Sequence, residues 1–161
     1  MSALPFTAFE TLTSGGTSDA ARFVAKRGEQ GRQRLQESYT LGMGGKGVFA
    51  ELGAVVNECL VPNWDGHGAA PVRYDVYLLA YQFLEAMPLG TPAPSVGAEP
   101  DGHLTLEWYR APRRILSVSI SPEGELHYAA LLGPRKAYGT EPFFGEVPKV
   151  ILDMIRRVTA A

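Results

Sequence analysis

The chain has 161 residues, 45% of them hydrophobic and 20% charged, with a formal net charge of −2. That is the composition of one ordinary globular domain, long enough to bury a substantial core. The near-neutral balance excludes a whole-molecule field that would draw the chain to nucleic acid or an anionic membrane.

Residues 1–45 read as an N-terminal arm, loosely ordered or helical. Phe6, Phe9 and Leu12 have helical spacing, Thr13 to Gly16 break it, and Ser18 or Asp19 suits the cap of a helix towards Tyr39. Gly28 and Gly31 weaken that helix by about 1 kcal/mol each against alanine. No basic region followed by an apolar run opens the chain, and no stretch approaches the roughly 18 apolar residues of a membrane span. The expectation is a soluble, cytoplasmic protein with no membrane partner.

A single domain is expected over 46–161. Gly42-Met43-Gly44-Gly45-Lys46-Gly47 invites comparison with a phosphate-binding loop, but Thr40 and Gly47 stand where that motif needs glycine and Ser or Thr. A hinge before a helix is the better reading. The helix carries Val48, Phe49, Leu52, Val55, Val56 and Cys59 at three- and four-residue steps, and Pro62 ends it. Cys59, the single cysteine, therefore reads as a buried thiol in a reducing compartment.

Asn63 to Pro71 joins this helix to a second one over about 72–87. In the loop, Gly66 and Gly68 permit left-handed turns, Asp65 can accept backbone N–H groups, and Trp64 can fold back as an apolar anchor. The structural reading is an anchored turn of Trp64, Asp65, Gly66 and Gly68; the chemical one makes Asp65 and His67 an acid/base pair. The second helix is expected to bury Tyr74, Tyr77, Leu78, Tyr81 and Leu84, with Pro88 stopping it. A Pro-rich link follows, with a short edge strand around 95–98.

From Leu104 to Leu132 three strands alternate with period two. Pro122 and Gly124 fit a three-residue loop, which pairs Val118 with Tyr128 and Leu116 with Ala130; the turn at 111–113 likewise pairs Trp108 with Leu116. Every pair unites apolar residues. A C-terminal helix begins at Pro148 and buries Val147, Ile151, Met154, Ile155 and Val158. The fold class is α+β, a three- to four-stranded antiparallel meander with helices packed on one face.

The register also defines candidate sites. Opposite the apolar face lie two rows, Glu107-Ser117-Ala129 and Thr105-Ser119-His127, open to a partner. Arg110, Arg113, Arg114, Arg135 and Lys136 gather at one edge of the sheet, as a soluble rim or a site for phosphate or acidic side chains. The three histidines show no metal-ligand spacing, and no nucleophile elbow is present, so no metal, cofactor or catalytic residue is assigned.

Asn63-Trp64-Asp65-Gly66-His67-Gly68-Ala69 with Pro71, Asp101-Gly102, Leu106-Glu107-Trp108-Tyr109 and Gly139-Thr140-Glu141 resemble a set found in bacterial proteins of uncharacterised function. The resemblance spans about residues 57–158 and implies a shared fold but no activity. The functional expectation is a non-catalytic protein-binding module of a bacterium or mobile element, such as a toxin neutraliser, chaperone or defence accessory. The alternatives are a small hydrolase using Asp65, His67 and Glu107, and nucleic-acid binding through the five cations.

Overall fold

The computed structural model describes residues 44–161, with side chains from residue 47 onwards. The expected arm, including its helix towards Tyr39, lies outside the described residues except for Gly44 and Gly45. Those two glycines open the first helix, so the segment read as a hinge is, from Gly44 on, already helical.

The elements run α1 (Gly44–Glu58), α2 (Tyr74–Glu85), β1 (Ser95–Ala98), β2 (Leu104–Ala111), β3 (Arg114–Ile120), β4 (Glu125–Leu132), β5 (Arg135–Pro142) and α3 (Lys149–Thr159). The five strands form one antiparallel sheet in sequence order. The fold is α+β. Among the described residues no helix is long and apolar enough to cross a membrane.

The meander has the register that its turns and alternation predict. Val118 faces Tyr128, Leu116 faces both Ala130 and Trp108, and Leu106 faces Val118. Ser121 N–H donates to Glu125 O at 3.0 Å and Gly124 N–H to Ser121 O at 3.1 Å, with Gly124 at φ 81°. The β2–β3 turn differs in detail. Ala111 pairs directly with Arg114 after a bulge, so the loop is Pro112-Arg113 and Arg110 is the extra residue.

The sheet has five strands, not three or four. β5 was hidden because Arg-Lys-Ala-Tyr-Gly-Thr-Glu-Pro carries no apolar face. It is an edge strand with alternating exposed and half-buried residues, held by pairing its backbone to β4. Gly133, at φ 64°, and Pro134 fit a type II′ hairpin turn, where the first position needs positive φ and the second the φ that proline imposes.

The apolar sheet face and the three helices share one core. Leu104, Leu106, Leu116, Val118, Ile120 and Leu126 are fully buried beside Leu52, Val76, Phe83, Ile151 and Ile155. Each such side chain contributes about 1.5–3 kcal/mol relative to exposure. Trp108 is buried too, and its indole N–H donates to Pro92 O at 2.7 Å, which ties the Pro-rich link to the sheet. Cys59 is fully buried.

The second helix is rotated relative to expectation. Val76, Ala80, Phe83 and Leu84 are buried, whereas Tyr74 is 68% exposed and Leu78 is exposed. Its apolar residues cover most of its circumference, and the small Val76 and Ala80 permit the closer approach to the core. The tyrosines form a second row, Tyr74-Tyr77-Tyr81, that meets Phe49 of α1 with ring centroids 4.8 Å apart. In α3, Ile151, Ile155 and Val158 are buried as predicted, and Pro148 O accepts the N–H groups of Ile151 and Leu152 at 3.0 and 3.1 Å.

Candidate functional site: the outer face of the sheet

Strand pairing carries the two expected rows across the whole sheet. One runs Ser95-Glu107-Ser117-Ala129-Tyr138, the other Gly97-Thr105-Ser119-His127-Thr140. A third row lies beside them, Tyr109-Ile115-Leu131-Lys136. Its first three members are half-buried apolar side chains. The outer face therefore grades along the strand direction from an apolar row, through a row that is small at Ser117 and Ala129, to a polar row.

The polar row is cross-linked. His103 Nδ1 lies 3.1 Å from Ser119 Oγ, and His127 Nδ1 lies 3.0 Å from Thr140 Oγ1. The two imidazoles stack with centroids 6.0 Å apart and planes at 12°. Thr105 Oγ1 donates to Glu99 Oε1. Asp101 Oδ2 stands 3.7 Å from His103 Nδ1, and Glu125 Oε2 stands 3.7 Å from His127 Nε2. Each hydroxyl thus fixes the orientation of a titratable group, and the row behaves as one patch rather than as independent side chains.

Glu99, Asp101 and His103 offer ligand atoms within 4.8 Å of one another. The spacing of the three histidines, weighed alone, passes over Glu99, Asp101 and His103, which alternate along the chain through the Asp101-Gly102 turn. This is a donor set that can accommodate a divalent cation, although Glu99 and His103 are already engaged by Thr105 and Ser119.

The antiparallel topology segregates charge between the two ends of the sheet. Glu99, Asp101, Glu123, Glu125 and Glu141 lie at the end formed by the β1–β2 and β3–β4 turns and the close of β5. Glu123 is held below the usual carboxylate range by its own backbone N–H and by the Ser121 hydroxyl, against some desolvation, with His103 and Arg73 adding attraction. Arg110, Arg113, Arg114, Arg135 and Lys136 lie at the other end, where the two remaining turns meet and Gly133 N–H donates to Arg113 O at 2.7 Å.

These five cations share an end but not a face. Arg114 lies in register with the helix-side residues of β3, and its Nη2 donates to Arg157 O at 2.8 Å, capping the last turn of α3. Arg135 pairs with Leu132 in the helix-side set, whereas Lys136 pairs with Leu131 on the outer side.

The loop at Asn63–Pro71 closes on itself. Asp65 Oδ1 accepts His67 N–H at 2.8 Å and Ala69 N–H at 3.0 Å, and Asn63 Oδ1 accepts Gly68 N–H at 2.6 Å. Trp64 Nε1 donates to Ala70 O at 2.9 Å, and Asn63, Gly66 and Gly68 all have positive φ. Desolvation pushes the Asp65 carboxyl up. The N–H groups of His67, Ala69 and Asp65 itself, with the His67 charge, outweigh it and leave the group below its ordinary value. The loop is anchored at Pro100 by Ala70 N–H and at Cys59 by Val72 N–H. Glu107 lies mid-strand in the row between Ser95 and Ser117, with Oε1 buried.

Compared with known proteins, the chain matches no protein-family profile, no curated protein and no solved structure.

Proposed function

We propose that the domain is a non-catalytic protein-binding module whose docking surface is the outer face of the sheet. The observation that carries this reading is the three-row gradation: Tyr109, Ile115 and Leu131, then Ser117 and Ala129, then the cross-linked His103, Thr105, Ser119, His127 and Thr140. Apolar area flanked by a polar margin is the anatomy of a specific protein interface. The small Ser117 and Ala129 between these rows let a partner's backbone or side chains lie close. The carboxylates of Glu99, Asp101, Glu123 and Glu125 at the polar margin favour a partner segment that presents Lys or Arg there.

Ala129 is exposed in the middle row, between Ser117 and Tyr138, so Ala129→Arg obstructs the surface without disturbing the core. A displayed random-peptide library panned on the immobilised wild type should enrich sequences combining an apolar residue with Lys or Arg. Panning on folded Ala129→Arg should lose that enrichment. Equal enrichment on both proteins, or none on either, contradicts the reading.

A further inference from the structure

The two edges of the sheet are not equivalent. β1 is short and lies beside α1, where Glu51 Oε1 accepts the Val96 N–H at 3.4 Å. β5 is eight residues long, and among the described residues no element pairs with its outer edge. The alternation of its backbone is set by two observations. The Gly133-Pro134 hairpin makes Leu132 and Arg135 a hydrogen-bonded pair, as two-residue loops do, and Phe143 N–H donates to Gly124 O at 2.9 Å. Odd-numbered residues of β5 therefore bond to β4, and the N–H and C=O groups of Lys136, Tyr138 and Thr140 point outwards. Pro142, which has no N–H, occupies the next outward position, as proline does on an edge.

We propose that this edge pairs with the β5 edge of a second copy of the same chain, antiparallel, about a two-fold axis through Tyr138. The pairing would make a continuous ten-stranded sheet. Paired residues must lie on the same side of the sheet and bond through outward groups, and the register centred on Tyr138 satisfies both conditions. It sets Tyr138 against its own copy and Lys136 against Thr140, six backbone hydrogen bonds in all. The helix-side residues then fall into place: Arg135 stands opposite Glu141 at both ends of the ribbon. The antiparallel arrangement also lays the cationic end of each sheet beside the carboxylate end of the other. Tyr138, 83% exposed on the outer face, meets its own copy at the axis.

Arg135 and Glu141 lie six residues apart on one extended strand, roughly 20 Å, too far to attract one another within a chain. Charge reversal at each therefore reads the contact between copies. In light scattering after size exclusion, and in sedimentation over a concentration series, the full chain should reach twice its 17.4 kDa mass. Arg135→Glu or Glu141→Arg alone should weaken association roughly tenfold, and the double exchange should restore it. A second measurement is independent of charge. Tyr138→Cys should cross-link to its own copy on oxidation, because hydrogen-bonded antiparallel partners have Cα atoms about 5.5 Å apart, within disulfide reach. Thr140→Cys, four residues from its own counterpart in this register, should not. A monomer at every concentration overturns the proposal, as do a dimer indifferent to both reversals, a double exchange that fails to restore association, and equal cross-linking at the two cysteine positions.

Discussion

Tyr128 lies flat against Gly139, its cross-strand partner, so closely that a β carbon on residue 139 would stand 2.6 Å from the phenolic oxygen and 2.8 Å from the ring. The glycine is there for space and not for backbone freedom. The aromatic ring covers the backbone that the missing side chain leaves bare, and so compensates for a glycine inside an edge strand.

Gly139→Ala should therefore destabilise the domain by about 1–2 kcal/mol through overpacking, despite alanine's smaller entropic cost. Tyr128→Val should remove the clash, so the double variant should lose less than the sum of the two single losses. Urea denaturation of the four proteins measures this. A wild-type midpoint for Gly139→Ala would contradict the account.

Asp65 accepts the two N–H groups that close the Asn63–Pro71 loop. Asp65→Ala should lower the melting temperature, and Asp65→Asn, which keeps an acceptor oxygen, should lower it less. The sign of the pH dependence follows from the depressed folded-state pKa. The stabilisation is fully present above the unfolded value of about 3.9 and is lost as pH falls through the lower folded value. Thermal melts between pH 6 and pH 2 should show a shallower acid decline for Asp65→Ala than for the wild type.

Arg113 has φ 67° without a glycine's freedom. A left-handed conformation costs an ordinary residue about 1–2 kcal/mol, and glycine's extra chain entropy returns about 0.5–1 of that. Arg113→Gly should consequently leave stability unchanged or raise it slightly, whereas the β-branched Arg113→Val should lower it. Chemical denaturation of the pair separates a turn constraint from a stabilising role of the guanidinium.

The meander was legible because two independent constraints agreed: alternation from Leu104 to Leu132, and a loop at Pro122-Glu123-Gly124 that admits one register. β5 was not legible, since an edge strand needs only backbone pairing and its Gly139 answers to Tyr128, eleven positions earlier and across no local pattern. The orientation of α2 was hidden by an excess of apolar residues; its tyrosines suggested the buried side, but Val76 and Ala80 pack there. At the candidate site, Thr105, Ser119 and His127 followed directly from register, as did Glu107, Ser117 and Ala129. The same register implies the row of Tyr109, Ile115 and Leu131, but alternation marks the outer face by its small and polar residues, and an apolar row on that side does not stand out. Glu99, Asp101 and His103 meet in the local turn at Asp101-Gly102, but a metal reading based on histidine spacing alone passes over a set with one histidine and two carboxylates.

The measurement that tests the central claim most directly is an amide-resonance titration of the isotope-labelled protein with a peptide selected on it. Shifts should concentrate at Thr105, Ser117, Ser119, His127 and Ala129, extend to Tyr109 and Leu131, and vanish in Ala129→Arg. Shifts confined to the helices or to the Asn63–Pro71 loop, and retained in that variant, would contradict the outer face as the docking surface.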